Sequence, residues 1–289
     1  MNYTTTKLKP KDLPRNLQNI PSPPNNLYVK GDGFEELLKR PKIAVVGSRK
    51  YSPYGRQITE LFSYELASQG VIIISGLALG IDSIAHKTAL ENKGSTIAVL
   101  PCGLDIIYPG NHKQLSEDIL KTGGALVSEY SHGTPALRHN FIARNRIISG
   151  LADALLITEA ANRSGTLHTA NFALEQGKPV LSAPGNITSA NSEGTNTLIK
   201  SGAIPVTSTL DILEAIGLNP KTEINNKTVI KTHSEEERVI IDLLKQGITD
   251  GHQLLVDSKL STQIFNQTLT MLEINGFIKP LGNNHWTLR

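Results

Sequence analysis

From Lys42 onward the chain is punctuated by short runs that are apolar at every position rather than at alternate ones. They are Ile43–Val46, Val71–Ile74, Thr96–Leu100, Ala125–Val127, Ala154–Ile157 and Val180–Leu181, with a weaker run at Ile204–Val206. Strands apolar on both faces suit a sheet sandwiched between two helix layers. Longer stretches with helical character separate them, such as Tyr54–Gln69, Asp82–Asn92, His112–Lys121, Arg138–Ser149 and Thr166–Gln176. This alternation predicts an α/β fold with a doubly wound, mostly parallel sheet. Right-handed crossovers then lay helices on both faces.

The flanks read differently. Residues 1–40 are broken by Pro10, Pro14, Pro21, Pro23 and Pro24, and are expected to form an irregular lead-in. Residues 41–217 form the α/β domain. Residues 218–233, with Asn219-Pro220 and Asn225-Asn226, lack a core pattern and read as a linker. Residues 234–289 predict helices near Glu235–Lys245, Asp250–Asp257 and Thr262–Asn275. Gly276 sits at the third helix's C-cap, and a hairpin of Phe277–Lys279 and His285–Leu288 follows. Three helices and a hairpin in that order match a small winged-helix domain.

With 39% hydrophobic residues in 289, the chain can bury a sizeable core. Its one cysteine, Cys102, excludes an intrachain disulfide, and no Cys/His cluster has zinc spacing. No leader or membrane-length apolar segment is present, so a reducing cytoplasm is the expected compartment. The formal charge of +3 is uninformative by itself. Its distribution is more telling. Residues 131–152 hold no Asp or Glu, yet include His132, Arg138, His139, Arg144 and Arg146.

Ligands of an open parallel sheet bind beyond the carboxyl ends of its strands. There the chain places Gly47-Ser48-Arg49, Ser75-Gly76, Gly80-Ile81-Asp82, Glu159, Ser164-Gly165-Thr166 and Pro184-Gly185-Asn186. Each glycine either serves a tight βα turn or lets backbone approach an anion. Together the turns favour an anion-binding rim. Arg49 directly follows the first strand of the α/β domain and is either a solvated arginine or a bidentate phosphate ligand. Arg138 and Phe141 are neighbours on one helix face. A cation beside an aromatic suits single-stranded nucleic acid, the cation taking a phosphate and the ring a base. Alternatively Phe141 and Ile142 face the core, with Ile147 and Ile148 doing so one to two turns later. Arg144 and Arg146 are secondary ligands or pair with Glu159 or Asp153.

Taken together, these residues resemble the DprA/Smf family of DNA-processing proteins. The likeness rests on Val46-Gly47-Ser48-Arg49, Ser75 to Asp82, Phe141 to Gly150, Glu159-Ala160, Ser164 to Leu167, Thr169-Ala170, Pro184-Gly185 and Gly194-Thr195-Asn196. It covers about Asn26 to Gly217, and the tail from Ser234 is similar to the family's winged helix. The resemblance implies an extended Rossmann-like fold, a homodimer, and single-stranded DNA protected and handed to the RecA recombinase in natural transformation. Whether double-stranded DNA also binds is left open. The implied DNA contacts are Arg49, Arg138 and Phe141, with His139 alongside. Gly47, Ser48 and the turn of Gly185 and Asn186 would offer backbone to phosphate. Many family members carry a helical domain ahead of the α/β domain; the roughly 40 proline-broken residues here are not expected to form it. The chain's candidate recognition helix holds no Lys or Arg between Leu260 and Ile278. A DNA-reading helix usually carries cations, so protein contact is the expected role of the tail.

Enzymatic readings fare worse. The G-G-x-G-T-x-x-E motif of LOG-type phosphoribohydrolases overlaps Gly165-Thr166, but Thr169 stands where the carboxylate belongs. Neither a G-x-G-x-x-G turn nor a G-x-x-x-x-G-K-[ST] loop is present. Asp82 with His86 lacks a third metal ligand, and His168 near Ser164 lacks an orienting carboxylate. The expectation is a protein with no catalytic residues, no cofactor and no metal.

Overall fold

The computed structural model describes residues 3–218, 234–282 and 284–288. They fall into two units that divide at residue 220.

In the first unit the elements in chain order are β1 (Thr5–Leu8), α1 (Arg15–Gln18), β2 (Leu27–Lys30), α2 (Phe34–Lys39), β3 (Lys42–Val46), α3 (Pro53–Ser68), β4 (Ile72–Ser75), α4 (Ile81–Glu91), β5 (Thr96–Val99) and α5 (Lys113–Lys121). These are followed by β6 (Ala125–Ser128), α6 (Arg138–Leu151), β7 (Ala154–Ile157), α7 (Thr166–Glu175), β8 (Val180–Ser182), α8 (Glu193–Lys200), β9 (Ile204–Pro205) and α9 (Thr209–Ala215). Among the described residues one nine-stranded sheet runs β1-β2-β6-β5-β4-β3-β7-β8-β9. From β6 to β9 every pairing is parallel. The sheet is therefore doubly wound about β3, as the apolar runs predict.

Alternation within each strand sends side chains to two different cores. Ala44, Val46, Ile72 and Ile74 join Ile147, Ile148 and Leu151 of α6 and Ala170 and Ala173 of α7. Ile43, Val45 and Ile73 face Phe62 and Leu66 of α3 and Ala85 and Ala89 of α4. Burial on both faces explains why these strands read as continuous apolar runs.

The lead-in expected to be irregular is not. β2 pairs antiparallel with β6, and β1 antiparallel with β2, so this segment extends the sheet at one edge. The prolines confine the regular pieces without abolishing them. Leu27 and Val29 are buried between half-buried Tyr28 and Lys30, and Leu13, Leu17 and Ile20 join the core beside α6. Residues 219–233 of the expected linker lie outside the described residues, whereas Leu218 packs on the α3–α4 side of the core.

The second unit holds α10 (Glu235–Lys245), α11 (Gly251–Ser258), α12 (Thr262–Ile274) and a hairpin of β10 (Ile278–Gly282) and β11 (His285–Leu288). Ser234, Asp250 and Ser261 cap the three helices. Ile240, Leu244, Leu254, Phe265, Leu269 and Leu272 form its separate core.

Candidate nucleic-acid interface

The loop from β3 to α3 is held from both ends by one residue of β7's exit. The Ser48 N–H donates to the Glu159 carbonyl at 2.8 Å. The Glu159 carboxylate accepts from the Ser52 N–H at 2.8 Å and from the Ser52 hydroxyl at 2.5 Å. Ser52 is in turn the N-cap of α3, accepting from the Gly55 N–H at 3.1 Å. The Ser48 hydroxyl closes the turn inside the loop onto Lys50. Below it, the Ile81 N–H donates to the Ser48 carbonyl at 3.2 Å. Gly80, at φ +87°, has to be glycine here, since a Cβ would sit 2.3 Å from that carbonyl. With its neighbours so tied, Arg49 is left at the tip with its side chain exposed.

The Arg49 guanidinium lies 5.2 Å from the centre of the Phe141 ring. That is a cation–π distance, and it joins two residues remote in sequence. Phe141 is half-buried on α6, so it is neither a core residue nor a free ring. Ile142 does not face the core but is exposed, because the buried stripe of α6 runs through Asn140, Arg144, Ile147 and Ile148. Asn140, immediately before Phe141, anchors the helix start by donating from Nδ2 to the Pro101 carbonyl at 3.1 Å. Arg138 and His139 occupy the exposed first turn of α6. No acidic residue lies in that turn, so the helix dipole's positive end adds to their charge.

A third arginine lies beneath them. Arg144 is buried and donates to the Gly76 and Val99 carbonyls, with Asn145 Oδ1 at 3.2 Å. Burial lowers its pKa to about 10, with the neighbouring Arg49 charge also acting downward and Asp82 opposing both. It therefore stays protonated at neutral pH. Asp82, its buried counter-charge, accepts from the Gly76 N–H at 3.1 Å; burial raises the carboxyl and Arg144 works against that rise.

Several expected roles change. Arg144 and Arg146 do not pair with Glu159 or Asp153. Arg146 makes a bidentate bridge to Glu129, at 2.9 and 2.6 Å. Glu159 is spent on Ser52, while Asp153 accepts from the Lys42 N–H and lies 3.4 Å from its Nζ. The N–H groups expected to meet phosphate at Ser48 and Gly185 are already committed, the second to Asn196 Oδ1 at 3.2 Å. Asn186 Oδ1 accepts from Thr188, both N–H and hydroxyl. Gly47 packs against Ile81 and the Glu159 carbonyl, where a Cβ would lie 2.6 Å from the Ile81 side chain. Ser164, Gly165 and Thr166 open α7 through a local turn in which the Thr166 N–H donates to the Ser164 hydroxyl at 3.2 Å.

Gly185 and Asn186 instead border a hollow of about 500 Å³, faced by Ser52, the cap of α3, by Tyr54 in its first turn, and by Ser189 and Ser192. Among the described residues no basic side chain lines it. Burial, and then the Glu159 carboxylate, raise the Tyr54 phenol there. This side of the loop is thus unfavourable to phosphate, and the N-terminus of α3, where a dinucleotide's pyrophosphate would rest, is closed by Glu159.

One residue at the interface escaped sequence reasoning. The Tyr108 ring meets Phe141 edge-on, with centroids 5.3 Å apart and planes at 74°. The only hint was an aromatic directly before Pro109-Gly110 in the loop after a buried strand.

Residues 4–217 match the family model described as DNA recombination-mediator protein A. Protein Smf of Escherichia coli is 51% identical over 191 residues, 66% of this chain and 50% of that protein. The chain thus aligns with about half the length of that relative. The DNA processing protein DprA of Streptococcus pneumoniae is 44% identical over 200 residues, 69% of this chain and 70% of that protein. Its X-ray structure superposes with a TM-score of 0.67 at 41% identity, covering 72% of this chain and 73% of that one. DNA processing protein A from Helicobacter pylori, whose structure bears on its single-stranded DNA binding mode, superposes at 0.66 with 33% identity, covering 74% and 96%.

Proposed function

The chain belongs to the DNA recombination-mediator protein A family, and on that premise we propose that it grips single-stranded DNA at the Arg49–Phe141 rim without altering it covalently. The observation that carries the reading is the guanidinium poised 5.2 Å over a half-buried ring. Arg49 and Arg138 take phosphates, and Phe141 stacks a base once a phosphate draws the Arg49 guanidinium off its face. The first turn of α6, free of acidic residues, supplies further positive potential that costs no reorganisation on binding, while Arg144, balanced by Asp82, fixes the floor of the rim. His139 stands beside this track. Gly47, Ser48 and Gly185 act by shaping loops rather than by donating to phosphate.

In the cell the bound strand is shielded as it enters during natural transformation and is passed to RecA by a cytoplasmic homodimer. The family relationship supports these steps. The second unit acts as a winged-helix module for protein contact, supported by the absence of Lys and Arg from α12. Among the described residues no helix is long and apolar enough to cross a membrane.

Fluorescence polarisation with labelled oligo-dT tests the grip. Arg49→Ala is expected to cost about 1.5–3 kcal/mol and to reduce the salt slope by about 0.7 for the lost phosphate contact. Phe141→Ala is expected to cost about 1–3 kcal/mol and to leave the slope unchanged. Affinity indifferent to salt, or to both substitutions, would reject the proposal.

A further inference from the structure

We infer that Tyr108 is a second base-stacking surface, and that its angle to Phe141 makes the pair selective for single over double strands. The inference rests on the reading that the Arg49–Phe141 rim takes DNA.

Tyr108 lies in the loop joining β5 to α5, and that loop is rigidly held. The Cys102 thiol donates to the Ile106 carbonyl at 3.1 Å, the Ile106 N–H to Gly103 at 3.0 Å, and the Gly103 N–H to Thr134 at 2.9 Å. Beyond the tyrosine, the His112 N–H donates to Pro109 at 2.9 Å. Its buried imidazole donates from Nδ1 to the Leu77 carbonyl at 2.8 Å, because a carbonyl can only accept. Leu77 belongs to the β4–α4 loop, which leads directly into Ile81, the first residue of α4, whose N–H holds Ser48. The loops carrying Arg49 and Tyr108 are therefore bound into one frame. A ring so presented loses little freedom on meeting a ligand.

A ring that merely buttressed Phe141 would gain most by being covered. Tyr108 is 45% exposed, leaving aromatic surface open beside the cation-bearing rim. The 74° between the rings means that no single base fits flat against both. Two bases are required, and successive bases on the two rings must be turned away from each other. A single strand adopts such a kink readily. A duplex keeps neighbouring bases parallel and paired, and would have to lose both stacking and pairing. Tyr108 thus makes the platform a test of strandedness.

The experiment measures oligo-dT and matched duplex affinities for the full chain and for Tyr108→Ala, Tyr108→Leu and Tyr108→Phe, alongside Arg49→Ala and Phe141→Ala. Tyr108→Ala and Tyr108→Leu are expected to weaken oligo-dT binding roughly 5- to 150-fold with no change in salt slope, to leave duplex binding unaltered, and to be rescued by Tyr108→Phe. Restoration by leucine as complete as by phenylalanine would mark a packing role and overturn the inference. So would wild-type affinity in Tyr108→Ala while Arg49→Ala and Phe141→Ala bind poorly, an outcome that leaves the DNA reading intact. Indifference of all five variants removes that reading and the inference with it. Should Tyr108→Ala fail to fold, photocrosslinking of the unaltered protein to a 5-iodouracil oligonucleotide decides. An adduct mapped to Tyr108 supports the inference, and adducts confined to other residues overturn it.

Discussion

His86 shows how a single hydroxyl fixes a protonation state. The Thr96 hydroxyl spends its one proton on the Ile73 carbonyl at 2.6 Å, so toward the imidazole 2.7 Å away it can only accept. His86 therefore carries its proton on Nδ1. Among the described residues its buried Nε2 lone pair has no hydrogen-bond partner. Burial, and then the charges of His112 and Arg144, push the pKa down to about 3. Below an ordinary histidine pKa of about 6.5 the unfolded chain takes up a proton that the folded one refuses, so stability falls with pH until about pH 3. Between pH 7.5 and 5.5 this residue should remove about 1.4 kcal/mol of unfolding free energy. Denaturant titrations of the wild type and His86→Gln at both pH values check it: the variant should lose less by about that amount, and equal losses would refute the assignment.

Among the elements, α3 carries the sharpest constraint. Replacing a helical glycine by alanine normally stabilises by about 1 kcal/mol. At Gly55 the sign should reverse, because a Cβ there would lie 2.4 Å from the Glu159 carboxylate that holds the Arg49 loop. Gly55→Ala is expected to destabilise by about 1–3 kcal/mol in thermal or urea unfolding, and to weaken oligo-dT binding without changing the salt slope. What the sequence makes legible divides along the same physical line. The strands from β3 to β8 announce themselves because both faces are buried. β1, Thr-Thr-Lys-Leu with three exposed positions, has no such signature, and only its partner β2 reveals it as a strand. Arg49 and Phe141 are each recognisable from their local setting, yet their contact spans elements that only the fold brings together. Glu129 as the partner of Arg146, the double hold of Glu159, and Tyr108 on Phe141 depend on that same tertiary placement. Local spacing carries no trace of them.

For the whole molecule, the two units differ in what their surfaces offer. α12 exposes Ile264, Met271 and Ile274 and bears no cation, whereas in the first unit Arg49 lies against the Phe141 ring and Arg138 begins α6 three residues before that ring. A chain ending at Gly217 should hold oligo-dT within roughly threefold of the full chain in a gel shift, since the phosphate-neutralising charge stays with it. A large loss would return the second unit to DNA contact. The carboxylate lodged at the head of α3 bears on selectivity of another kind. Cells hold far more ATP, NAD and other soluble nucleotides than exposed DNA, and folds of this architecture commonly welcome them at that spot. Here the Glu159 carboxylate already occupies that place, held by Ser52. A soluble nucleotide is therefore expected to compete poorly with a polymer reaching the neighbouring rim, which an ATP competition against labelled oligo-dT checks.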